Sequence, residues 1–167
     1  DINLLEKKIS KKTKAVVITN YAGGSCDLKR LLKLKKKYNF YLVEDGAQSL
    51  FSKYKKKYLG TFGDLSTLSF HQTKNIHCGE GGALIINNKK FVKRADIIFC
   101  KGTDRISFEK GKVKKYTWKD IGSSYAMSEL HGIVLDQNLR DYKKIYAKRK
   151  KIWSYYHKNL KNLEYTK

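Results

Sequence analysis

An α/β fold built on a mostly parallel sheet flanked by helices is what this sequence predicts, and three observations carry the prediction. A strand, turn, helix, strand order runs over residues 15–45. Two further short apolar runs bracket a glycine-rich segment at 71–82. Hydrophobic residues make up 41% of the chain and aromatic residues 13%, enough to build a real core and too much for a disordered basic tail.

The elements follow in order. Leu4, Leu5 and Ile9 suggest a short helix over 3–11, and Ala15 to Thr19 reads as a buried strand from its β-branched content. Gly23, Gly24 and Ser25 break the pattern, and Asp27 can cap a helix whose Leu28, Leu31, Leu32 and Leu34 share a face opposite lysines. A second strand, Phe40 to Val43, ends in Glu44 and Asp45, and this βαβ unit implies a parallel sheet covered on both faces. Strands are expected at Leu65 to Phe70 and Ala83 to Ile86, a helix from about Lys89 to Lys101, and a loop with some extended structure over 102–120. Helical spacing resumes from Ser123 to about Leu139 and continues, strongly basic, from Arg140 to Leu160. There Tyr142, Tyr146, Trp153 and Tyr156 form an aromatic stripe that reads as a packing seam rather than a nucleic-acid platform.

The charge needs a separate account. The 167 residues hold 37 Lys and Arg against 15 Asp and Glu, a formal net charge of +22. Such a balance invites phosphate binding. Of those cations, however, 32 are Lys and only five Arg, whereas base-edge recognition relies on the planar Arg fork. Scarce Arg, no Pro and abundant Lys, Asn, Ile and Tyr match an A/T-rich coding background, which stands beside selection for an anionic partner as an origin of the charge. Cys26, Cys78 and Cys100 are odd in number and widely spaced, so neither a disulfide framework nor a zinc or other metal site is indicated, and reduced cytoplasmic thiols are expected. No apolar run approaches the roughly 18 residues of a membrane span. The chain starts at Asp1 and its only Met is Met127, so a processed, truncated or excised segment is expected.

One lysine stands apart from the other cations. Between Lys57 and Lys89 lie 31 residues with a single Lys or Arg, Lys74, where the chain average would give roughly seven. The stretch is therefore expected to be interior. A lysine held there either snorkels to water or has its pKa lowered, and a neutral amine is the nucleophile of Schiff-base chemistry. Gly79, Gly81 and Gly82 would let backbone approach a ligand closely. Asp45, at the carboxyl end of a parallel strand, occupies the place where open α/β sheets contact ligands, and a capping or turn carboxylate is the alternative. Gln48 lies three residues on, and Ser69 just before the lysine loop.

Four segments carry a family likeness: V-E-D-G-A-Q at 43–48, S-F-H-Q-T-K-N at 69–75, G-E-G-G at 79–82 and Y-T-W-K-D-I-G-S-S-Y at 116–125. In order and spacing they resemble the DegT/DnrJ/EryC1/StrS sugar aminotransferases. The last motif and N-Y-A-G-G-S-C-D at 20–27 look most like the branch that aminates dTDP-4-keto-6-deoxyglucose. The resemblance implies the central part of the large domain of a fold-type I pyridoxal phosphate-dependent transferase. It divides the chain into a partial cofactor-binding domain at 1–139 and a basic helix at 140–167 that leads toward an absent small domain.

Carried over by position, the likeness implies that Lys74 bonds pyridoxal 5'-phosphate and shuttles a proton between cofactor and substrate carbons. Asp45 would keep the pyridine nitrogen protonated, Gln48 would pack against the ring, and Ser69 would donate to the phosphate. His71 would face the active site, or else serve as a hydrogen-bonded core histidine. The implied reaction moves an amino group from glutamate to the 4-keto carbon of a nucleotide-linked sugar, in amino-sugar and surface polysaccharide biosynthesis. A cytoplasmic homodimer is implied, with no nucleic-acid or membrane partner. An inactive remnant of the same fold and a basic nucleic-acid-binding module are the alternatives.

Departures from the family pattern are specific. Gly46 replaces the Ala more usual after the Asp, and Gly132 falls within a predicted helix. Ser124 stands where many relatives carry an Asn that reaches the partner subunit's cofactor phosphate. The upstream Gly-Thr/Ser loop of the phosphate site and the downstream small domain are missing from the 167 residues, so the isolated chain is expected to bind cofactor weakly or not at all.

Overall fold

The computed structural model describes residues 1–163. It divides into two compact units, one formed by residues 1–69 with 82–127 and the other by 70–81 with 128 onward. In the first unit β1 (Ala15–Thr19), β2 (Tyr41–Asp45), β5 (Leu65–Ser69) and β6 (Gly82–Ile86) form a sheet in the order β1-β2-β5-β6. β1, β2 and β5 run parallel, and β6 returns antiparallel to β5.

The expected βαβ unit is present, and its helix shows why it forms. α2 (Leu28–Tyr38) starts at Asp27, whose carboxylate accepts the Arg30 N–H at 3.0 Å. It ends at Asn39, in left-handed geometry at φ 52°, with Lys35, Lys36 and Lys37 placed against the negative end of the helix dipole. Leu28, Leu31 and Leu34 recur at helical spacing and are buried with Val16, Phe40, Leu42 and Leu59 to form the core. Fully burying one such leucine stabilises the fold by about 1.5–3 kcal/mol. α1 (Ile2–Lys8) packs Ile2 and Leu5 against this cluster.

Only one face of the sheet is filled in this way. Val17 is 66% exposed and Leu84 50%, so the other face lies open rather than covered. The lysine-poor stretch is accordingly interior only in part. Leu59, Phe70, Ile76 and Cys78 are buried, while β6, with β5 as its strand neighbour at the sheet edge, exposes Ala83 and Leu84.

Several local features differ from expectation. A hairpin of β3 (Lys53–Tyr54) and β4 (Lys57–Tyr58) interrupts the segment between Asp45 and Leu65, turning at Lys55 with φ 56°. Its lysine-rich composition hides the strand signal. The helix expected over 89–101 narrows to a short 3₁₀ turn followed by α3 (Val92–Phe99), and the loop after it contains α4 (Arg105–Glu109).

In the second unit α5 (Glu129–Arg140) begins six residues later than the periodicity suggests. Ser128 caps it by accepting the His131 N–H at 3.3 Å. Ser123 and Ser124 precede the helix and belong to the first unit, where Ser124 forms an isolated antiparallel bridge with Cys100. α6 (Tyr142–Leu160) follows after Asp141. Tyr146, Trp153 and Tyr156 of its stripe are all more than half exposed, whereas Tyr142 is half-buried. Among the described residues no helix is long and apolar enough to cross a membrane.

Candidate functional site

Strand alternation gives the last two residues of β2 opposite destinations. Glu44 points into the core and is fully buried. Its Oε1 accepts the backbone N–H of Phe62 and Gly63, both at 2.7 Å, and its Oε2 accepts the Gly60 N–H at 2.8 Å and the Asn20 amide at 3.1 Å. A buried carboxylate costs several kcal/mol unless its lone pairs are used, and here four donors use them. Sequence reading registers Glu44 only as a strand end; its role depends on the 60–63 loop folding back, which no local pattern announces.

Asp45 points to the open face. Its Oδ1 accepts the Ala47 N–H at 3.0 Å, and among the described residues its Oδ2 has no hydrogen-bond partner. The register sets Thr19 and Thr67 beside it on the neighbouring strands, and Ser69 is two residues beyond Thr67 on the same face of β5. Asp45, Thr67 and Ser69 thus share the carboxyl edge of a parallel sheet, where ligand contacts gather. Gly46 closes the strand: its N–H donates to the Thr67 carbonyl at 2.9 Å, and a Cβ there would lie 2.7 Å from that oxygen.

The turn after β1 joins the same edge. The Asn20 N–H donates to the Asp45 carbonyl at 2.9 Å, and the Gln48 side-chain oxygen accepts the Ala22 N–H at 3.0 Å, leaving Gln48 exposed with its amide held over this turn. Gly23, at φ 80°, lies where a Cβ would meet the Ser52 hydroxyl at 2.6 Å, so the turn tolerates no side chain. The Asn20 side-chain oxygen is buried without a partner.

Lys74 and His71 belong to the second unit, in the loop 70–81. Cross-loop bonds close this loop, from the Phe70 N–H to the Gly81 carbonyl at 2.8 Å and from the Gln72 N–H to the Gly79 carbonyl at 2.7 Å. Gly79, at φ 89°, supplies the reversal that a non-glycine residue rarely adopts. Lys74 is half-buried at the loop's tip, and its N–H donates to the His71 carbonyl at 2.9 Å. Cys78 of the same loop is buried, and burial together with the Glu80 charge pushes its thiol up, away from reactivity. The first unit therefore gathers Asp45, Gln48 and Ser69 at one edge, with Ser124 on its separate bridge. The second unit holds Lys74 and His71 three residues apart in one closed loop.

A carboxylate whose Oδ2 has no hydrogen-bond partner among the described residues thus stands at the carboxyl end of a central parallel strand, where open α/β sheets bind ligands. Residues 1–167 match the DegT/DnrJ/EryC1/StrS aminotransferase family, and the chain belongs to it. It is 34% identical over 160 residues to GDP-perosamine synthase of Escherichia coli O157:H7, covering 95% of this chain and 42% of that protein. It is 30% identical over 176 residues to UDP-4-amino-4,6-dideoxy-N-acetyl-beta-L-altrosamine transaminase of Campylobacter jejuni, covering 99% of this chain and 44% of the relative. Helicobacter pylori PseC, an aminotransferase of pseudaminic acid biosynthesis, superimposes with a TM-score of 0.88 at 28% identity, over 99% of this chain and 43% of that one. The chain thus spans less than half the length of these relatives.

Proposed function

We propose that this chain is the cofactor-binding core of a pyridoxal phosphate-dependent aminotransferase acting on a nucleotide-linked keto sugar. The observation that carries the reading is Asp45: a half-buried carboxylate at the carboxyl end of β2, one oxygen tied to Ala47 and the other open, in a chain of this family. That open oxygen fits a protonated ring nitrogen, and the hydroxyl of Ser69 on the same sheet face fits a phosphate.

When bound, pyridoxal phosphate supplies an electron sink for cleaving the bonds around an amino-bearing carbon. Asp45 Oδ2 would face the ring nitrogen and keep it protonated. Lys74 Nζ would hold the cofactor and would serve as the group that moves a proton to and from the substrate carbon. Gln48 would pack against the ring, and Ser124 would contact the cofactor phosphate of a partner subunit. Overall, the donor's nitrogen goes to the sugar and the sugar's carbonyl oxygen to the donor. Glutamate as donor, the 4-keto carbon as acceptor and a cytoplasmic homodimer are parts of the proposal. The names of the two relatives carry GDP and UDP, whereas the resemblance of the segments at 20–27 and 116–125 to the dTDP-sugar branch supports a dTDP sugar.

Reductive trapping tests the reading. Pyridoxal phosphate is added, the protein is reduced with borohydride, and the labelled lysines are mapped by peptide mass spectrometry. Lys74 should be labelled well ahead of the other 31 lysines, and the preference should vanish in Asp45→Ala. Labelling that tracks solvent exposure, with Lys74 unremarkable among surface lysines, refutes it.

A further inference from the structure

His71 has two open roles, acid/base group or structural histidine, and the hydrogen bonds of loop 70–81 decide between them. Its Nδ1 lies 2.9 Å from the Thr73 hydroxyl and accepts the Thr73 backbone N–H at 3.3 Å. One residue further along the chain, the Lys74 N–H donates to the His71 carbonyl at 2.9 Å. Side chain and main chain of one residue thus hold the two successive amides that lead into Lys74. An Asp or Asn closes a turn onto its own backbone in the same way.

A backbone N–H only donates, so Nδ1 must present its lone pair to Thr73 and the neutral ring carries its proton on Nε2. That nitrogen faces the Glu80 carboxylate at 3.5 Å, a natural acceptor for it. Both ends of the imidazole are thereby engaged within the loop itself. A proton added at Nδ1 would turn to the Thr73 hydroxyl and give up the bond from the Thr73 N–H.

We propose that His71 is a positioning residue for Lys74, acting through an Nδ1-capped turn, and that it is not the base of the reaction. The inference rests on the reading of Lys74 as the cofactor lysine for its functional meaning, but not for its geometry. The turn is short and the ring 37% exposed, so the substitutions below leave the buried core untouched.

Two amide side chains separate the roles of the ring nitrogens. Asn can place its oxygen near the Nδ1 position, whereas the longer Gln places its polar atoms near Nε2 and none at Nδ1. In His71→Asn the Thr73 amide should keep its hydrogen-exchange protection within about twofold, and in His71→Gln it should lose about fivefold, the worth of one net hydrogen bond. The preference of reductive trapping for Lys74 should follow the same order. In the unsubstituted protein, ring ¹⁵N shifts should report the Nε2–H tautomer for His71. An Nδ1–H tautomer, or a His71→Gln variant as protected at Thr73 as His71→Asn, overturns the proposal. The tautomer measurement needs no variant to fold, and neither it nor the exchange measurement needs cofactor. Absence of any Lys74 preference with the exchange pattern intact would therefore refute the aminotransferase reading alone.

Discussion

Replacing Glu44 with Gln removes one charge and one acceptor from the centre of the first unit while keeping nearly the same volume. The carboxylate serves two pairs of donors: Phe62 and Gly63 at Oε1, Gly60 and the Asn20 amide at Oε2. The new side chain keeps one oxygen, which can serve the Phe62 and Gly63 pair. Its NH₂ then faces Gly60 and Asn20. Asn20 can rotate its amide to accept, since its own oxygen is buried without a partner, but the Gly60 N–H has no such recourse. One buried backbone donor left unsatisfied costs about 1–3 kcal/mol, and the two retained bonds lose their charge assistance, about 1 kcal/mol more in sum. The expected loss is about 2–4 kcal/mol against a total stability of about 5–15. In urea, with a slope near 2 kcal/mol/M, the midpoint should fall by about 1–2 M at unchanged slope. A midpoint shift under about 0.3 M would refute the reasoning, because it would mean that the 60–63 loop does not depend on this carboxylate.

A matched pair of glycine substitutions and one pH titration extend the test. Gly46→Ala should destabilise by about 1–3 kcal/mol, since its Cβ would lie 2.7 Å from the Thr67 carbonyl oxygen in the β2–β5 seam. Gly132→Ala, in α5 with nothing within 4 Å of the added carbon, should stabilise by about 1 kcal/mol, and thermal melts should show the opposite signs. Burial pushes the Asp64 carboxyl up, but the Lys35 ammonium, the Leu42 N–H and the Asn88 amide outweigh it and hold the group below its ordinary value. The folded state therefore binds fewer protons than the unfolded one. Its stabilisation is present above the unfolded pKa of about 3.9 and is lost as pH falls through the folded value. Asp64→Asn should lower stability at pH 7 and flatten the acid limb of a denaturation series; an unchanged acid limb would contradict that assignment.

Periodicity made much of this fold legible in advance. β1 runs from Ala15 to Thr19 as its β-branched content indicates, and α2 begins at the expected Asp27 cap, because both signals are local. What escaped depends on partners distant in sequence. The 53–58 hairpin is composed mostly of lysine, and five of its residues make ring contacts, among them the Lys53 ammonium 4.5 Å from the centre of Tyr58 and Lys57 4.8 Å from that of Phe62. The late start of α5 turns on Ser128 rather than on apolar spacing, since Ser123, Ser124 and Ala126 are small residues compatible with either state. At the site, Asp45 was visible as a carboxylate ending a parallel strand. Glu44 beside it was not, because its value lies in a loop 16 to 19 residues away.

The adjacency of those two carboxylates has a physical consequence. They share a strand, differ by one methylene and face opposite sides of a sheet, so parity alone separates a structural acid from a ligand-facing one. A one-residue slip of β2 would bring Asp45 into the core, where its shorter side chain must reach the Gly60, Phe62 and Gly63 amides. It would also send Glu44 outward, where it has no donors to meet. Four buried hydrogen bonds therefore set the register that presents Asp45 to the open face. Because those bonds lie on the covered side, ligand-facing substitutions at Asp45 can change affinity with little effect on folding. Substitutions at Glu44 cannot do the reverse, since loosening the 60–63 loop frees the carboxyl end of β2 and, with it, the position of the Asp45 carboxylate. The pair thus couples stability to function in one direction only: the core fixes the site, and the site leaves the core unchanged.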